Sequence, residues 1–447
     1  MNHSELMQNI REDYLKNPIL LTDIQTPKDL EKVPFSSLLV MTETEWIKKY
    51  PSIDSKRVYY SGAHFGVIFY YEPEEHVLID LASCLLLGPE KAQDAFRHRR
   101  QEIIQAIKTG DYFHAVSHLE HATLLHIARD IILSLTPSPA LYQFFMDIYI
   151  YADSGAGLFT EEVIRRLMDA KNTEQENATK ESLKDFPDEI VVYRGEGSAS
   201  TPADKAYSWT TSKKTAYHFA VFYIGSQYRI VTAKVRKADV VERFTERGEE
   251  ELLLLPSTVY GKKTEYLFTA EELVHQKVEP LLAAQQYIEK YRNSPLLQKD
   301  IASHDSSHSL RVTILASYLA DHEKVRCYRK ELLLAALFHD CGREDDSEND
   351  THGARGYELY QAKYGENPIV GFLITNHCKS DKDAEAALPA CEDKFDLWRA
   401  YCALKDADAL DRVRLPLEEK MDSDLLHFPY TEKLAGVASE LLQIYRI

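Results

Sequence analysis

The spacing of hydrophobic and polar positions divides the chain into regions of different character. From Gly88 to about Ala178, apolar residues recur with helical spacing, in segments such as EIIQAIKTGDYFHAV and ALYQFFMDIYIYA. From about Asp188, short β-branched or aromatic runs alternate with turn residues, among them EIVVYRGEG, YRIVTAKVR and EELLLLP. Helical spacing returns from about Pro295, as in SHSLRVTILASYLADH. The pattern therefore predicts an α+β protein with a β-rich core between helical regions.

The changes of pattern also suggest domain limits, and 447 residues are enough for two or three domains. Polar residues without apolar partners, KNTEQENATKES, predict a linker before the β-rich core. The predicted domains are an N-terminal mixed α/β segment of unassigned role (1–85), a helical lobe (86–185) with a β core (186–280), and an all-α domain (290–447).

Composition and charge narrow the classes of partner and compartment. The formal net charge of −18 argues against nucleic acid as the main partner, because such proteins usually carry a basic face. Six cysteines without a CxxC pair indicate reduced thiols in a reducing compartment. No apolar run predicts a transmembrane segment, and the start MNHSELMQNIREDYLK lacks the apolar region of a Sec-type signal peptide. We therefore expect a soluble protein.

Three stretches of the β core carry residues suited to chemistry on a nucleotide. Arg194 ends a predicted strand, where its guanidinium can grip a pyrophosphate through a bidentate fork. SWTTS places hydroxyls on a strand before a helix. In GEEELLLLPS, strand alternation puts Glu249 and Glu251 on one side and Glu250 on the other. Paired carboxylates suit stabilisation of a developing cation, whereas an acidic loop before a core strand is the plain structural alternative.

In this order, the three stretches resemble the Arg–Ser–Glu class of mono-ADP-ribosyltransferases, whose motifs read R-G, S-T-S and E-x-E. The corresponding residues are Arg194-Gly195, Thr210-Thr211-Ser212 and Glu249-Glu250-Glu251. Threonine at 210 replaces the usual serine and keeps a hydroxyl. The resemblance covers about residues 88–278, since the family often carries a helical lobe before the arginine strand.

The resemblance implies a role for each of these side chains, with NAD as a substrate. Arg194 would hold the NAD diphosphate, while Thr210 and Ser212 would shape the pocket. Glu251 would bind the nicotinamide ribose and stabilise the oxocarbenium-like transition state, and Glu249 would activate an arginine acceptor. A fixed carboxylate fits this reaction, because loss of nicotinamide leaves a cationic sugar.

The C-terminal region places several histidines and aspartates after apolar helical runs, as in ALFHDCGRED, ITNHCKSD and LKDADALDRVR. Such a set more often marks a shared site than separate core residues. It resembles the HD superfamily of phosphohydrolases, with His352 and His377 at the positions of the further histidines of two-metal members. The implied ligands of a divalent metal are His308, His339, Asp340 and Asp408. Imidazoles and carboxylates suit iron, manganese or zinc.

The same blocks also resemble the phosphodiesterase domain of the SidE family of bacterial effectors, which carry an Arg–Ser–Glu transferase domain as well. That resemblance implies a metal-free reaction, in which His308 attacks phosphorus, Glu344 orients it and His377 protonates the leaving group. Family members place the two domains in the reverse order.

Two functional hypotheses follow for the whole chain. In the first, the chain ADP-ribosylates an arginine of a protein acceptor, for which ubiquitin is the candidate, and then cleaves the ADP-ribose diphosphate. This hypothesis implies secretion into the cytoplasm of a host cell as an effector. In the second, the transferase is joined to an independent metal-dependent HD phosphohydrolase acting on a nucleotide.

Overall fold

The computed structural model describes residues 19–33, 39–60, 68–119, 121–151, 159–198, 200–222, 227–245, 248–298, 301, 304–346 and 351–445. The chain folds as two compact units, Met1–Asp185 and Phe186–Ile447. Among the described helices, none combines the length and the apolar character needed to cross a bilayer.

The first unit combines a small antiparallel sheet with helices. Its strands pair in sequence order: β1 (Ile19–Leu20), β2 (Val58–Tyr60), β3 (Ile68–Glu72) and β4 (Val77–Asp80). Its helices are α1 (Glu43–Lys49), α2 (Ala82–Leu85), α3 (Pro89–Thr109), α4 (Tyr112–Val116), α5 (His121–Ser134), α6 (Pro139–Tyr151), α7 (Glu161–Met168) and α8 (Thr173–Ser182). Gly110, at a φ of +79°, ends the longest of them, because glycine enters the left-handed region without steric cost.

The predicted linker KNTEQENATKES is wrong, because most of it forms α8. Asn172 and Gln175 form a capping box at the start of this helix. Thr179 is buried and accepts a hydrogen bond of 2.8 Å from the ammonium of Lys171. Local capping and one buried contact thus support a helix that has almost no apolar face.

The second unit contains a six-stranded antiparallel sheet in the order β10-β7-β5-β6-β9-β8. Its strands are β5 (Glu189–Glu196), β6 (Ser208–Thr210), β7 (Arg229–Arg236), β8 (Val240–Phe244), β9 (Glu251–Leu254) and β10 (Tyr260–Tyr266). The β-rich stretch expected from the sequence is therefore confirmed as a sheet. Helix α9 (Lys213–Phe222) follows β6 and packs on β5.

The run GEEELLLLPS places a fully buried strand directly after an acidic turn. All four residues of β9 are buried between β6 and β8. Before the strand, Gly248 and Glu250 have φ values of +67° and +48°. Strand alternation does not extend back to Glu249, because β9 begins at Glu251 and the chain leaves extended geometry at Glu250. The Glu250 carboxylate pairs with Arg243 at 2.7 Å.

Helices form the rest of the second unit. They are α10 (Ala270–Gln276), α11 (Glu279–Tyr291), α12 (Ser306–His322), α13 (Arg329–Phe338), α14 (His352–Tyr364), α15 (Pro368–Asn376), α16 (Asp381–Ala386), α17 (Lys394–Asp411), α18 (Pro429–Lys433) and α19 (Ala435–Ile444). One hydrophobic core runs from Tyr217 on α9 and Ile230 on β7 into these helices. Helix α19 packs closely against the segment that follows β10, since a Cβ at Gly436 would lie 2.6 Å from the carbonyl oxygen of Phe268.

Candidate metal centre

Buried histidines and aspartates from several helices converge in the second unit. His308 lies in the first turn of α12, which Asp305 caps by accepting a 2.9 Å hydrogen bond from the His308 amide. His339 and Asp340 follow the end of α13, and His377 follows the end of α15. His352 begins α14. Apolar helical runs carry these polar groups into the core, where they must satisfy one another.

The first half of the cluster surrounds the Nε2 atom of His308. This atom lies 3.1 Å from Nε2 of His339, 3.2 Å from Oδ1 of Asp408 and 3.4 Å from Oδ2 of Asp340. His308, His339 and Asp408 have the spacing of a metal-ligand set. Histidines and carboxylates at this spacing fit a divalent transition metal.

The second half uses the other oxygen of Asp340. The Nε2 atoms of His352 and His377 are 3.0 Å apart, and they lie 3.3 Å and 3.5 Å from Oδ1 of Asp340. The single carboxylate of Asp340 therefore faces one pair of histidines with each oxygen. Asp340 could therefore contribute to a metal site on either side of its carboxylate.

The protonation of the rings shows why the cluster fits a cation. Nδ1 of His339 lies 2.8 Å from the carbonyl oxygen of Ala336, and Nδ1 of His377 lies 2.7 Å from that of Ile374. A carbonyl oxygen only accepts, so each Nδ1 donates its hydrogen to the backbone and each Nε2 is turned toward the centre of the cluster. Lone pairs that face a second imidazole nitrogen at about 3 Å repel unless a proton or a metal ion lies between them.

The pKa values of His308 and Asp340 are both shifted by the contacts within the cluster. Burial disfavours the charged form of His308, but the hydrogen bonds that its ring donates to the surrounding aspartates outweigh burial and raise its pKa to about 10. Burial likewise disfavours the Asp340 carboxylate, whereas His339 and the hydrogen-bonded histidines hold its pKa well below the ordinary value. Without a metal, a proton on His308 thus faces the ionised carboxylate of Asp340.

A second layer of side chains fixes His308. Its Nδ1 lies 2.8 Å from Oδ2 of buried Asp411, which accepts two hydrogen bonds of 2.7 and 2.9 Å from Arg311. Arg311 also donates to the carbonyl oxygen of Tyr445. Neither residue was predicted from the sequence, although each lies three positions after a predicted ligand on the same helix, Arg311 after His308 and Asp411 after Asp408.

Glycines allow the close approach of the helices that carry the second half. A Cβ at Gly353 would lie 2.6 Å from the carbonyl oxygen of Ile374. A Cβ at Gly342 would overlap the carbonyl oxygen of His352. Only glycine at these positions lets α14 approach both α15 and the segment after Asp340.

Glu344 does not belong to the cluster. Its side chain is 74% exposed, and its carboxylate pairs with Arg355 at 3.0 Å. The carboxylate that contacts Nδ1 of His308 is Asp411. The structure therefore brings His308 and His377 into one cluster but leaves Glu344 at the surface.

The three transferase-like motifs lie on adjacent strands of the sheet. Thr210 on β6 pairs with Tyr193 on β5 and with Glu251 on β9. Buried Glu251 accepts a hydrogen bond from the hydroxyl of Ser208. Ser208 was seen in the sequence as one of several hydroxyls, but it was not among the predicted site residues.

Protein contacts also hold Arg194 in place. Its guanidinium donates 2.8 Å hydrogen bonds to the carbonyl oxygens of Ser208 and Thr201. Its Nε donates at 3.2 Å to Glu196, which is buried and also pairs with Arg229. The arginine is thus fixed beside the strand that leads to Thr210.

The remaining motif residues shape the turn and the start of α9. The Thr210 hydroxyl donates to the carbonyl oxygen of Glu249 at 2.6 Å, and the Thr211 amide donates to that of Glu250 at 3.1 Å. The Ser212 hydroxyl accepts from the amide of Thr215 at 3.2 Å.

Gly195, which follows Arg194 in the motif, is required by the packing of the fold. A Cβ there would overlap backbone atoms of α9, so glycine permits the close packing of this helix on β5.

Comparison with known proteins supports part of this picture. The HD domain family model matches residues 306–423. This range contains all six residues of the cluster, which are His308, His339, Asp340, His352, His377 and Asp408. The C-terminal helical region therefore contains an HD domain, a family that is typically metal-dependent and hydrolytic. Searches of curated proteins and of solved structures find no match to the chain.

Proposed function

We propose that the HD domain is a phosphohydrolase that depends on two divalent metal ions. The observation that carries this proposal is the pair of imidazole contacts at 3.0 and 3.1 Å, one on each side of Asp340. Each contact brings together nitrogens that can act as metal ligands, and the ring partners at Nδ1 orient them inward. When bound, such ions activate water and polarise a phosphoryl group.

The residues of the chain would hold and orient the ions and the substrate. His308, His339 and Asp408 would bind on one side of Asp340, and His352 and His377 on the other. Arg343 is mostly buried and donates to Oδ1 of Asp340 at 3.0 Å. Its guanidinium is suited to a phosphate oxygen at the same site.

The geometry favours this proposal over the metal-free mechanism. A nucleophilic His308 needs a free Nε2, yet this atom is fully enclosed by His339, Asp340 and Asp408. The metal-free mechanism also assigns Glu344 to orient it, and that carboxylate pairs with Arg355 at the surface.

A chelation experiment tests the proposal. The full chain is stripped of metal with a chelator, and hydrolysis of bis(p-nitrophenyl) phosphate and of ADP-ribose is followed before and after adding Mn²⁺, Fe²⁺ or Co²⁺. We expect hydrolysis to vanish on stripping and to return with metal. Full activity in the stripped protein, with phosphate trapped on a histidine, would instead support the metal-free mechanism.

A second candidate function is supported by the strand motifs, which lie side by side although they are separated in sequence by up to 57 residues between Arg194 and Glu251. We propose that the β core, residues 186–280, carries an NAD-dependent transferase site that ADP-ribosylates a protein arginine. Glu251 would stabilise the cationic sugar, and Glu249 would activate the acceptor. The HD domain would then cleave the diphosphate of the product, with ubiquitin as the candidate acceptor and a host-cell cytoplasm as the place of action.

Intact mass of ubiquitin tests this second function. Ubiquitin is incubated with NAD and the full chain, and its mass is followed over time. A gain of ADP-ribose that converts to phosphoribose supports the paired reaction. Consumption of NAD without a change in ubiquitin supports the transferase but removes ubiquitin as acceptor, and unchanged NAD contradicts the transferase proposal.

A further inference from the structure

The four histidines of the metal centre differ in what holds their outer ring nitrogens. His308 is held by the Asp411 carboxylate, and His339 and His377 are held by backbone carbonyl oxygens. The sulfur of Cys378 lies within 4.8 Å of a ring nitrogen of His352, and the two side chains form a hydrogen bond. Because Nε2 of His352 faces His377 and Asp340, the nitrogen left for the sulfur is Nδ1. Three rings are therefore oriented by oxygen and the fourth by sulfur.

The sulfur of Cys378 is held in place by the start of α14. The backbone amide of Gly353 donates a hydrogen bond to it. A Cβ at Gly353 would lie 3.1 Å from the sulfur, so the thiol packs tightly against the first turn of the helix that His352 begins. The thiol is partly buried. It is thus a built part of the second half of the cluster and not a surface cysteine.

We propose that Cys378 is a positioning residue for the second metal ion: its sulfur accepts the Nδ1 hydrogen of His352 and directs Nε2 toward Asp340 and His377. The inference rests on the proposed two-metal function. Removal of a group that orients a ligand weakens metal affinity by about 10- to 100-fold. The first half, around His308, has its own orienting residue in Asp411 and does not depend on the sulfur.

A competing role for the same thiol is direct ligation. His352, His377 and Cys378 have ligand atoms within 4.8 Å of one another. A sulfur bound to the metal gives a thiolate-to-cobalt charge-transfer band, whereas a sulfur that only orients His352 gives none. The two roles are therefore separated by the absorption spectrum of the cobalt form.

Cobalt titration of the stripped full chain tests the inference. Bound Co²⁺ is counted for the wild type, for Cys378→Ala and Cys378→Ser, and for Cys327→Ala, whose exposed thiol serves as the control. We expect two equivalents in the wild type and the control. Cys378→Ala should bind the second equivalent about 10- to 100-fold more weakly and the first equally well. Cys378→Ser should lose less, because a hydroxyl oxygen also accepts from Nδ1.

Distinct results overturn the inference. Unchanged binding of both equivalents by Cys378→Ala shows that the sulfur has no role. A charge-transfer band in the wild type that is lost in Cys378→Ala shows that it is a ligand instead. A wild type that binds no Co²⁺ overturns the two-metal function itself and the inference with it. Thermal unfolding of each variant identifies one that fails to fold, and the serine variant then decides.

Discussion

The HD cluster and the strand motifs of the sheet satisfy their polar groups in different ways. In the cluster, imidazole nitrogens face each other across 3.0 and 3.1 Å. In the sheet, Arg194 donates to carbonyl oxygens and Glu196, and Glu251 accepts from Ser208. The sheet residues are therefore compatible with the fold alone, whereas the cluster requires a proton or a cation at its centre. The comparison shows that a set of motif residues indicates a ligand site most clearly where their polar atoms face each other without an intervening hydrogen-bond donor.

The largest expected effect comes from Asp340→Asn, which separates the two regions most sharply. An amide has one acceptor oxygen, so it cannot face both pairs of histidines as the carboxylate does. We expect loss of both metal equivalents and of hydrolysis, with consumption of NAD unchanged. Elemental analysis and the two assays measure this. Asp346→Asn, which alters an exposed partner of His304, is the control and should keep both metals.

The second largest effect is expected in the sheet, where a substitution should lower NAD consumption and leave the metal centre unchanged. Glu251→Gln removes the charge that would stabilise the cationic sugar, and such losses cost about 10²- to 10³-fold in rate. NAD consumption should fall by about that factor, while metal content stays unchanged. Glu250→Gln, which alters the carboxylate paired with Arg243, is the control with little expected effect. Equal loss in both variants would mean that the acidic turn has only a structural role.

A smaller effect is expected from Asp411→Asn in the second layer of the cluster. Asparagine keeps the shape but weakens the hold on Nδ1 of His308, so affinity for the first metal should fall by about 10- to 100-fold. The variant also breaks a buried pair with Arg311, a change that costs about 3–5 kcal/mol of stability. Metal titration and thermal unfolding measure the two effects. Unchanged metal affinity in a folded variant would exclude Asp411 from orienting the ligand.

For Glu344→Gln we expect no change in hydrolysis or metal binding, which is the smallest effect of the series. An exposed pair with Arg355 contributes about 0–1 kcal/mol to stability. Hydrolysis and metal content should therefore match the wild type. Loss of hydrolysis with full metal content would revive the metal-free mechanism, in which this residue orients the nucleophile.

Several features of the fold could be predicted from the sequence because they depend on local pattern. Strand-like runs became β5 to β10, and apolar helical runs became α12 and α13. The predicted linker failed because capping by Asn172 supports a helix that hydrophobic periodicity does not reveal. Strand alternation could not be applied across the acidic run, because Glu250 has a positive φ in the turn before the strand.

Some residues of the candidate metal centre could also be predicted from the sequence, and others could not. The metal ligands could be predicted as histidines and aspartates after apolar runs, since several such polar groups buried together usually form one site. Asp411 and Cys378 were not, because their roles depend on which ring nitrogen they face. Glu344 was carried over from a resemblance, and its exposed carboxylate pairs with Arg355. Contacts between side chains on different helices are what a linear pattern leaves undefined.

The metal content of the purified full chain tests the central claim most directly. Elemental analysis is made on protein as isolated, after chelation, and after titration of the chelated protein with Mn²⁺, with hydrolysis measured on each sample. The account predicts two bound ions per chain at saturation, loss of hydrolysis on chelation, and recovery with the ions. A chain that binds no divalent metal and still hydrolyses its phosphodiester would contradict it.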